Sequence, residues 1–191
     1  MLSHKEVAIK ATKFAQRIFG CPIGAWEFCG GWNNEKCDGF IVNSRNSFLI
    51  EAKVSRQDFK KDFKKDFRKN EKLGVGDFRL YACPKGLLSL EELPDKWGLI
   101  EIDENNRNKC TLLYRHTQQE LFDFWKYQED RFWGMAEKGL SHEYKVYEPI
   151  KNQWHFVNAY RKFEVDKRLE RAYIFALATR YKSQKFMKNI L

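Results

Sequence analysis

The first half of the chain alternates between a helical hydrophobic pattern and patterns typical of strands. Apolar positions over residues 3–19 recur every three to four residues and Gly20 follows, which predicts a first helix. Strands are predicted over residues 25–29, 37–43 and 47–54, each bounded by polar or glycine-rich turns. The turn at residues 44–46 joins the last two strands and predicts a hairpin.

After residue 54 the hydrophobic period changes from two to about 3.6 residues. Ser55 and Asp58 form an S-x-x-D helix start, and Phe59, Phe63 and Phe67 recur every four residues. Further strands are predicted over residues 78–83, 97–102 and 110–116, and further helices over residues 118–137 and 152–181. A helix that directly follows an apolar internal strand favours an α/β sandwich over an all-β barrel.

Composition narrows the class of protein. The 191 residues, 43% hydrophobic and 32% charged, fit one globular domain or a domain with an appendage and exclude a disordered or collagen-like chain. No apolar run is long enough to cross a membrane, and the first twenty residues lack the continuous apolar centre of a signal peptide, so a cytoplasmic protein without a membrane partner is expected. Five scattered cysteines without a C-x-x-C pair predict reduced, mostly buried thiols. The four histidines show no ligand spacing and are predicted to be surface or cap residues.

The charge points to a polyanionic partner, with nucleic acid as the first choice. Thirty-five basic against 26 acidic residues give a net charge of +9, and residues 53–72 carry nine basic and four acidic side chains. Two interpretations of this basic helix face stay open: a solvated face held by Asp–Lys pairs, or contact with phosphates. The candidate DNA-binding residues are Ser55, Arg56, Lys60, Lys61, Lys64, Lys65 and Arg68, although a plain N-cap role is the preferred explanation of Ser55.

Candidate chemistry lies in the strand over residues 47–54. Its three consecutive apolar residues, 48–50, predict a central strand covered on both faces. Glu51 and Lys53 project from one face of that strand, with Cα atoms about 7 Å apart at a rise of about 3.3 Å per residue. Charges in a covered strand cost several kcal/mol unless they have partners, which indicates a functional role. The competing interpretation is a salt bridge on an exposed strand face.

Hairpin pairing can place the carboxylate of Asp38 near that of Glu51. Two close carboxylates repel each other unless a divalent cation lies between them, and oxygen ligands suit Mg²⁺ or Mn²⁺. Such a metal activates water and polarises a phosphate oxygen, while the ammonium of Lys53 orients that water or neutralises charge in the transition state. This set of residues fits hydrolysis of phosphodiester bonds.

Asp38 together with Glu51-Ala52-Lys53 resembles the metal motif of the PD-(D/E)XK nuclease superfamily. The segments 54–59, 83–84 and 93–100 resemble its MmcB-like DNA repair branch and related small phage and bacterial proteins, and the resemblance covers residues 1–115. It implies a restriction-endonuclease-like α/β/α core with a mixed central sheet. Cys37 stands where the motif has its nominal proline.

The resemblance also implies a Mg²⁺-dependent (or Mn²⁺-dependent) DNA endonuclease or exonuclease. Asp38 and Glu51 would be metal ligands, Lys53 the catalytic lysine, and Glu6 or Glu27 an additional carboxylate. The alternative is a catalytically inactive nuclease-fold protein that binds DNA or inhibits a protein partner.

The last third of the chain differs in composition from the rest. We divide the chain into a nuclease-like core, residues 1–116, and an aromatic-rich, basic helical extension, residues 117–191. Sixteen of the 30 aromatic residues lie between residues 122 and 186, and residues 149–191 carry ten basic and three acidic side chains. Core or oligomer contacts are the favoured explanation, including a homo-oligomer formed through the C-terminal helices. Stacking on single-stranded nucleic acid is a second explanation, and binding to a membrane surface a third.

Overall fold

A computed structural model of the protein describes residues 1–29, 36–62, 64–65, 72, 74–106, 109–115 and 163–188. A six-stranded mixed sheet lies at its centre, with the strands in sequential order and helices packed on both faces. The predicted α/β class with a mixed central sheet is therefore confirmed.

The first helix, α1, spans His4–Phe19, as the sequence predicts. Ser3 caps it: its hydroxyl accepts the Glu6 amide, while the Glu6 carboxylate accepts the Ser3 amide at 2.9 Å. Gly20 ends the helix in the left-handed conformation at a φ of 61°, which glycine adopts without the steric cost that a Cβ atom brings. Local signals at both ends thus define α1.

Three antiparallel strands follow α1. They are β1 (Ile23–Cys29), β2 (Lys36–Val42) and β3 (Ser47–Ala52). Asn43 closes the turn between β2 and β3, since its side-chain oxygen accepts the amides of Arg45 and Asn46. The predicted hairpin is confirmed, and every residue of β3 is buried, as expected of a central strand.

The second half of the sheet is reached through a short helix. This helix, α2, spans Arg56–Asp62 and leads to β4 (Phe78–Pro84), which pairs with β3 in parallel. A 3₁₀ turn at Leu90–Glu92 precedes β5 (Gly98–Ile102), which is parallel to β4 and pairs with the antiparallel β6 (Cys110–Tyr114). Three of the predicted strands correspond to β4, β5 and β6 with small differences at their ends.

The two faces of the sheet bury separate hydrophobic cores. On one face, α1 packs against residues that include Phe48, Ile50 and Leu80. On the other, α2 and the C-terminal helix pack against residues that include Leu49 and Tyr81. Successive residues of β3 therefore point to opposite faces of the sheet. The side chains two and four positions after Leu49 lie on the same face as Leu49.

The C-terminal helix, α3, spans Lys167–Lys188. The sequence prediction began this helix at residue 152, which is wrong for residues 163–166, because Asp166 caps the helix by accepting the amides of Arg168 and Leu169. Tyr173 packs edge-on against Phe40 of β2, with ring centroids 5.3 Å apart. Part of the predicted extension thus covers one face of the sheet. The helix predicted over residues 118–137 lies outside the described residues.

A buried polar cluster joins α3 to the sheet. The Ser47 amide donates to Asp77 Oδ2 at 3.0 Å, and the Asp77 amide donates to the Ser47 hydroxyl, also at 3.0 Å. That hydroxyl in turn donates to Glu170 of α3. Burial raises the pKa of Glu170, and so does the charge of Asp77, whereas the hydrogen bond from Ser47 and the nearby Lys167 ammonium lower it.

This cluster predicts that Glu170 weakens the fold at neutral pH. The pKa of Glu170 is raised in the folded protein, so folding favours the protonated carboxyl group. The stabilisation that results is complete below the unfolded pKa of about 4.3 and is lost as pH rises through the folded pKa. Glu170→Gln keeps an oxygen for the Ser47 hydroxyl and removes the charge. We expect the variant to be at least as stable as the wild type at pH 7 in urea unfolding, with the difference shrinking towards pH 4.

The matched control is Glu164→Gln, which removes an exposed carboxylate paired with Lys72 at 3.2 Å just before α3. This change should leave the pH dependence of unfolding as it is in the wild type. A Glu170→Gln protein that is less stable than the wild type at pH 7 would contradict the assignment.

Candidate active site

Glu51 and Lys53 lie together at the end of the central strand. Glu51 is 1% exposed and Lys53 is 3% exposed, and Lys53 Nζ lies 3.2 Å from Glu51 Oε2. The prediction that both side chains project from one face is confirmed. The alternative of a salt bridge on an exposed face is wrong, since this pair is buried. Buried ions lose most of their hydration and therefore depend on their partners.

Asp38 lies beside this pair, on β2. The β2–β3 pairing ends where Gly39 faces Ile50, and one step further the register brings Asp38 level with Glu51. Asp38 Oδ2 accepts the Ala52 amide at 2.8 Å, which fixes the carboxylate at the end of β3. The hairpin thus brings Asp38 to the end of the strand that carries Glu51.

The electrostatic surroundings of Asp38 reflect its position. Burial raises the pKa of Asp38 to about 6, and the negative charge of Glu51 raises it as well. His4, Lys53 and the Ala52 amide oppose this effect. The two carboxylates therefore repel each other across the strand pair, which is the condition that a bound cation relieves.

Sequence reasoning missed Asp62, the last residue of α2. Asp62 is 2% exposed, and its Oδ1 lies 3.6 Å from Lys53 Nζ and 2.7 Å from Lys65 Nζ. Its Oδ2 accepts the Tyr81 hydroxyl at 2.7 Å. Lys65 Nζ also lies 3.9 Å from Glu51 Oε2, so two carboxylates and two ammonium groups form one network.

The sequence pattern does not indicate that His4 lies beside Asp38. It predicts only a surface or cap residue. His4 lies in the first turn of α1, and its Nε2 is 3.4 Å from Asp38 Oδ2. Its side chain is partly exposed, so the site opens towards solvent near the start of α1.

The two additional carboxylates named from the resemblance have different surroundings. The Glu6 carboxylate accepts both the amide and the hydroxyl of Ser3 in the capping box. Glu27 is exposed and has a φ of 48°, uncommon for a residue with a side chain. It lies between the β1–β2 pairs Trp26–Gly39 and Phe28–Cys37, which places Glu27 level with Asp38 in the sheet.

The predicted DNA-binding residues have different surroundings in the structure. Lys60, Lys61 and Lys64 are exposed on or just after α2, whereas Lys65 turns towards Asp62 and Glu51. The Ser55 hydroxyl accepts the Asp58 amide at 3.1 Å, as expected of a cap. Arg56 is ion-paired with Glu92, and Arg68 lies outside the described residues.

The donor set fits a hard divalent cation held by few protein ligands. Asp38 and Glu51 offer carboxylate oxygens, and Mg²⁺ is commonly held by one or two carboxylates together with water and phosphate oxygens. Within the described ranges, no group of three or more His, Cys, Asp or Glu side chains is arranged to hold a metal ion. A metal here would therefore depend on the two carboxylates and on oxygens from water and substrate.

Comparisons with known proteins add little to this geometry. No protein family and no curated protein matches the sequence. Among solved structures, a protein of unknown function from Silicibacter pomeroyi is similar, with 17% sequence identity and a TM-score of 0.46, over 68% of this chain and 92% of that chain. A likeness at this level supports no inference about function. In the described part of the chain, no helix has both the length and the apolar character needed to cross a membrane.

Proposed function

We propose that this protein is a Mg²⁺-dependent or Mn²⁺-dependent DNA nuclease of the PD-(D/E)XK type. The observation that carries the proposal is the meeting of Asp38, Glu51 and Lys53 at the end of the central strand, with the two acids close enough for one charge to raise the other's pKa. A buried lysine beside two carboxylates is costly to maintain without function. The three-layer arrangement of helices around a mixed sheet agrees with the fold that the resemblance implies.

Each residue has a role that follows from its surroundings. Asp38 and Glu51 would hold the metal, which when bound lowers the pKa of a water ligand and polarises a phosphate oxygen. Lys53 is held at Glu51 with its ammonium group 3.2 Å from the carboxylate, so it can neutralise negative charge that develops on the phosphate. Because Lys53 is already positioned, little reorganisation is needed when substrate binds.

The exposed lysines supply the contact with DNA. Lys60, Lys61 and Lys64 follow Lys53 within eleven residues and are exposed on or just after α2, the helix that ends at Asp62. Phosphate contacts of this kind are independent of base sequence and weaken steeply as salt concentration rises. The proposed substrate is therefore a DNA backbone, without a prediction of base specificity.

Removing the metal provides the direct test. Purified protein is incubated with fluorescently labelled double-stranded, single-stranded and branched DNA, with Mg²⁺, with Mn²⁺, or with EDTA alone. We expect cleavage products with either metal and none in EDTA, because the acids alone cannot activate water for attack on a phosphodiester.

The same assay distinguishes the alternative function. Salt-sensitive binding of DNA without cleavage under any metal condition would reject the nuclease and favour a nuclease-fold binding module. An absence of both cleavage and salt-sensitive binding would reject DNA as the substrate.

A homo-oligomer through the C-terminal helices stays a prediction, which size-exclusion chromatography with light scattering would test.

A further inference from the structure

Asp62 is the residue in this network that neither the sequence motif nor the resemblance assigns. It is buried at the end of α2, and its carboxylate contacts three side chains from different elements. Oδ1 faces the ammonium groups of Lys53 and Lys65, while Oδ2 accepts the hydroxyl of Tyr81. One carboxylate thus connects both lysines of the site to the sheet.

We propose that Asp62 is a positioning residue of the active site, which holds Lys53 and Lys65 beside Glu51. The inference rests on the proposed function, because it assigns to Asp62 an effect on DNA cleavage that passes through Lys53. Asp62 itself is not expected to touch metal or substrate.

The aromatic core fixes the direction of the Asp62 carboxylate. Tyr81 donates to Asp62 from β4 and is itself stacked on Trp97 at 4.3 Å between ring centroids. Phe59, one helical turn before Asp62, packs edge-on against the Tyr81 ring at 5.1 Å. Rotation of the carboxylate would therefore break a buried hydrogen bond, so Asp62 presents its negative charge to Lys53 at a fixed place.

Lys53 needs such a fixed negative charge because its side chain is flexible. A lysine has four rotatable side-chain bonds and a single point charge, so one contact does not fix its ammonium group. Glu51 Oε2 at 3.2 Å and Asp62 Oδ1 at 3.6 Å together hold Lys53 Nζ. Without Asp62, the contact with Glu51 Oε2 would be left to hold Lys53 Nζ, and a single contact does not fix the ammonium group.

Steady-state cleavage kinetics test this role. We expect Asp62→Asn to lower kcat about tenfold to a hundredfold, with KM for DNA changed less than about twofold, because a displacement of about 1 Å can reduce a rate by that much. The matched control is Asp58→Asn, one turn earlier in the same helix, which should leave both constants unchanged. Wild-type kcat in Asp62→Asn, or a fall that follows loss of thermal stability, would overturn the proposal.

An NMR measurement tests the same point without relying on activity. A buried, held ammonium group exchanges protons slowly with water, so Lys53 should give a resolved ¹H–¹⁵N signal from its ζ-ammonium group, assigned by its loss in Lys53→Met. The signal should disappear in Asp62→Asn and persist in Asp58→Asn. Its persistence in Asp62→Asn would overturn the positioning role, whereas absence of DNA cleavage by the wild-type protein would reject only the proposed function.

Discussion

Lys53→Met is expected to lower DNA cleavage about 100-fold to 1,000-fold, the loss that follows removal of one group that stabilises transition-state charge. The same change should reduce the free energy of unfolding by about 3–5 kcal/mol, because it removes the buried ammonium group nearest Glu51 and leaves that carboxylate with the more distant Lys65, at 3.9 Å. Glu51 and Asp62 both face the Lys53 ammonium, at 3.2 Å and 3.6 Å. The variant should therefore lose activity and stability together.

A double variant separates the two losses. In Glu51→Met/Lys53→Met the buried ion pair is replaced by apolar side chains of similar length, a change that is often neutral or stabilising. Asp62 keeps a partner, since Lys65 Nζ lies 2.7 Å from its Oδ1. We expect the double variant to recover most of the lost stability in urea unfolding and to remain inactive.

The matched control is Lys109→Met, which removes an exposed lysine from the turn between β5 and β6. It should cleave DNA at the wild-type rate and unfold at nearly the wild-type urea concentration. Cleavage by Lys53→Met at the wild-type rate in Mg²⁺ would exclude Lys53 from the chemistry, whatever its effect on stability.

The part of the site on the strands is predictable because strands have a fixed geometry. The apolar run at residues 48–50 predicts a strand covered on both faces, and the period of two then places Glu51 and Lys53 on the same side. The short turn before this strand predicts a hairpin, which brings Asp38 of the preceding strand level with Glu51. Each of these steps needs only residues that are close in sequence.

The contribution of α2 was harder to predict. The phenylalanine spacing predicts a helix that continues beyond residue 62, but α2 ends at Asp62 and residues 64 and 65 are not helical, while residue 67 lies outside the described residues. Asp62 lies three residues after Phe59 and so shares its packed face, and this spacing is the signal that could have identified a buried acid. A pattern that classifies residues only as apolar or polar places Asp62 among the solvated residues.

Contacts between distant segments lie beyond any local pattern. His4 and Asp38 are 34 residues apart along the chain. They meet because α1 crosses the sheet face with its first turn near the end of β3. Ser47 and Glu170 are 123 residues apart. No periodicity relates such pairs, and only the packing of the helices on the sheet brings them together.

Gly39→Ala is expected to lower the free energy of unfolding by about 3 kcal/mol, at the upper end of the usual cost of overpacking a core. A Cβ atom at this position would overlap the Thr12 hydroxyl oxygen of α1 and would lie 3.1 Å from Cβ of Ile50. Both neighbours are fully buried, so α1 would have to move away from the sheet. Urea unfolding measures the loss.

The reason for the loss can be tested with Thr12→Ala, which removes the atom that the new methyl group meets. None of the described residues hydrogen-bonds the Thr12 hydroxyl, so Thr12→Ala alone should change stability by less than about 1 kcal/mol. In the Gly39→Ala background it should restore at least half of the lost stability, which gives a favourable coupling in a double-mutant cycle. Additive losses would mean that Ile50, rather than the contact with α1, resists a side chain at position 39. Because Asp38 adjoins Gly39 and lies 3.4 Å from His4 of α1, the same close packing also fixes the edge of the proposed active site.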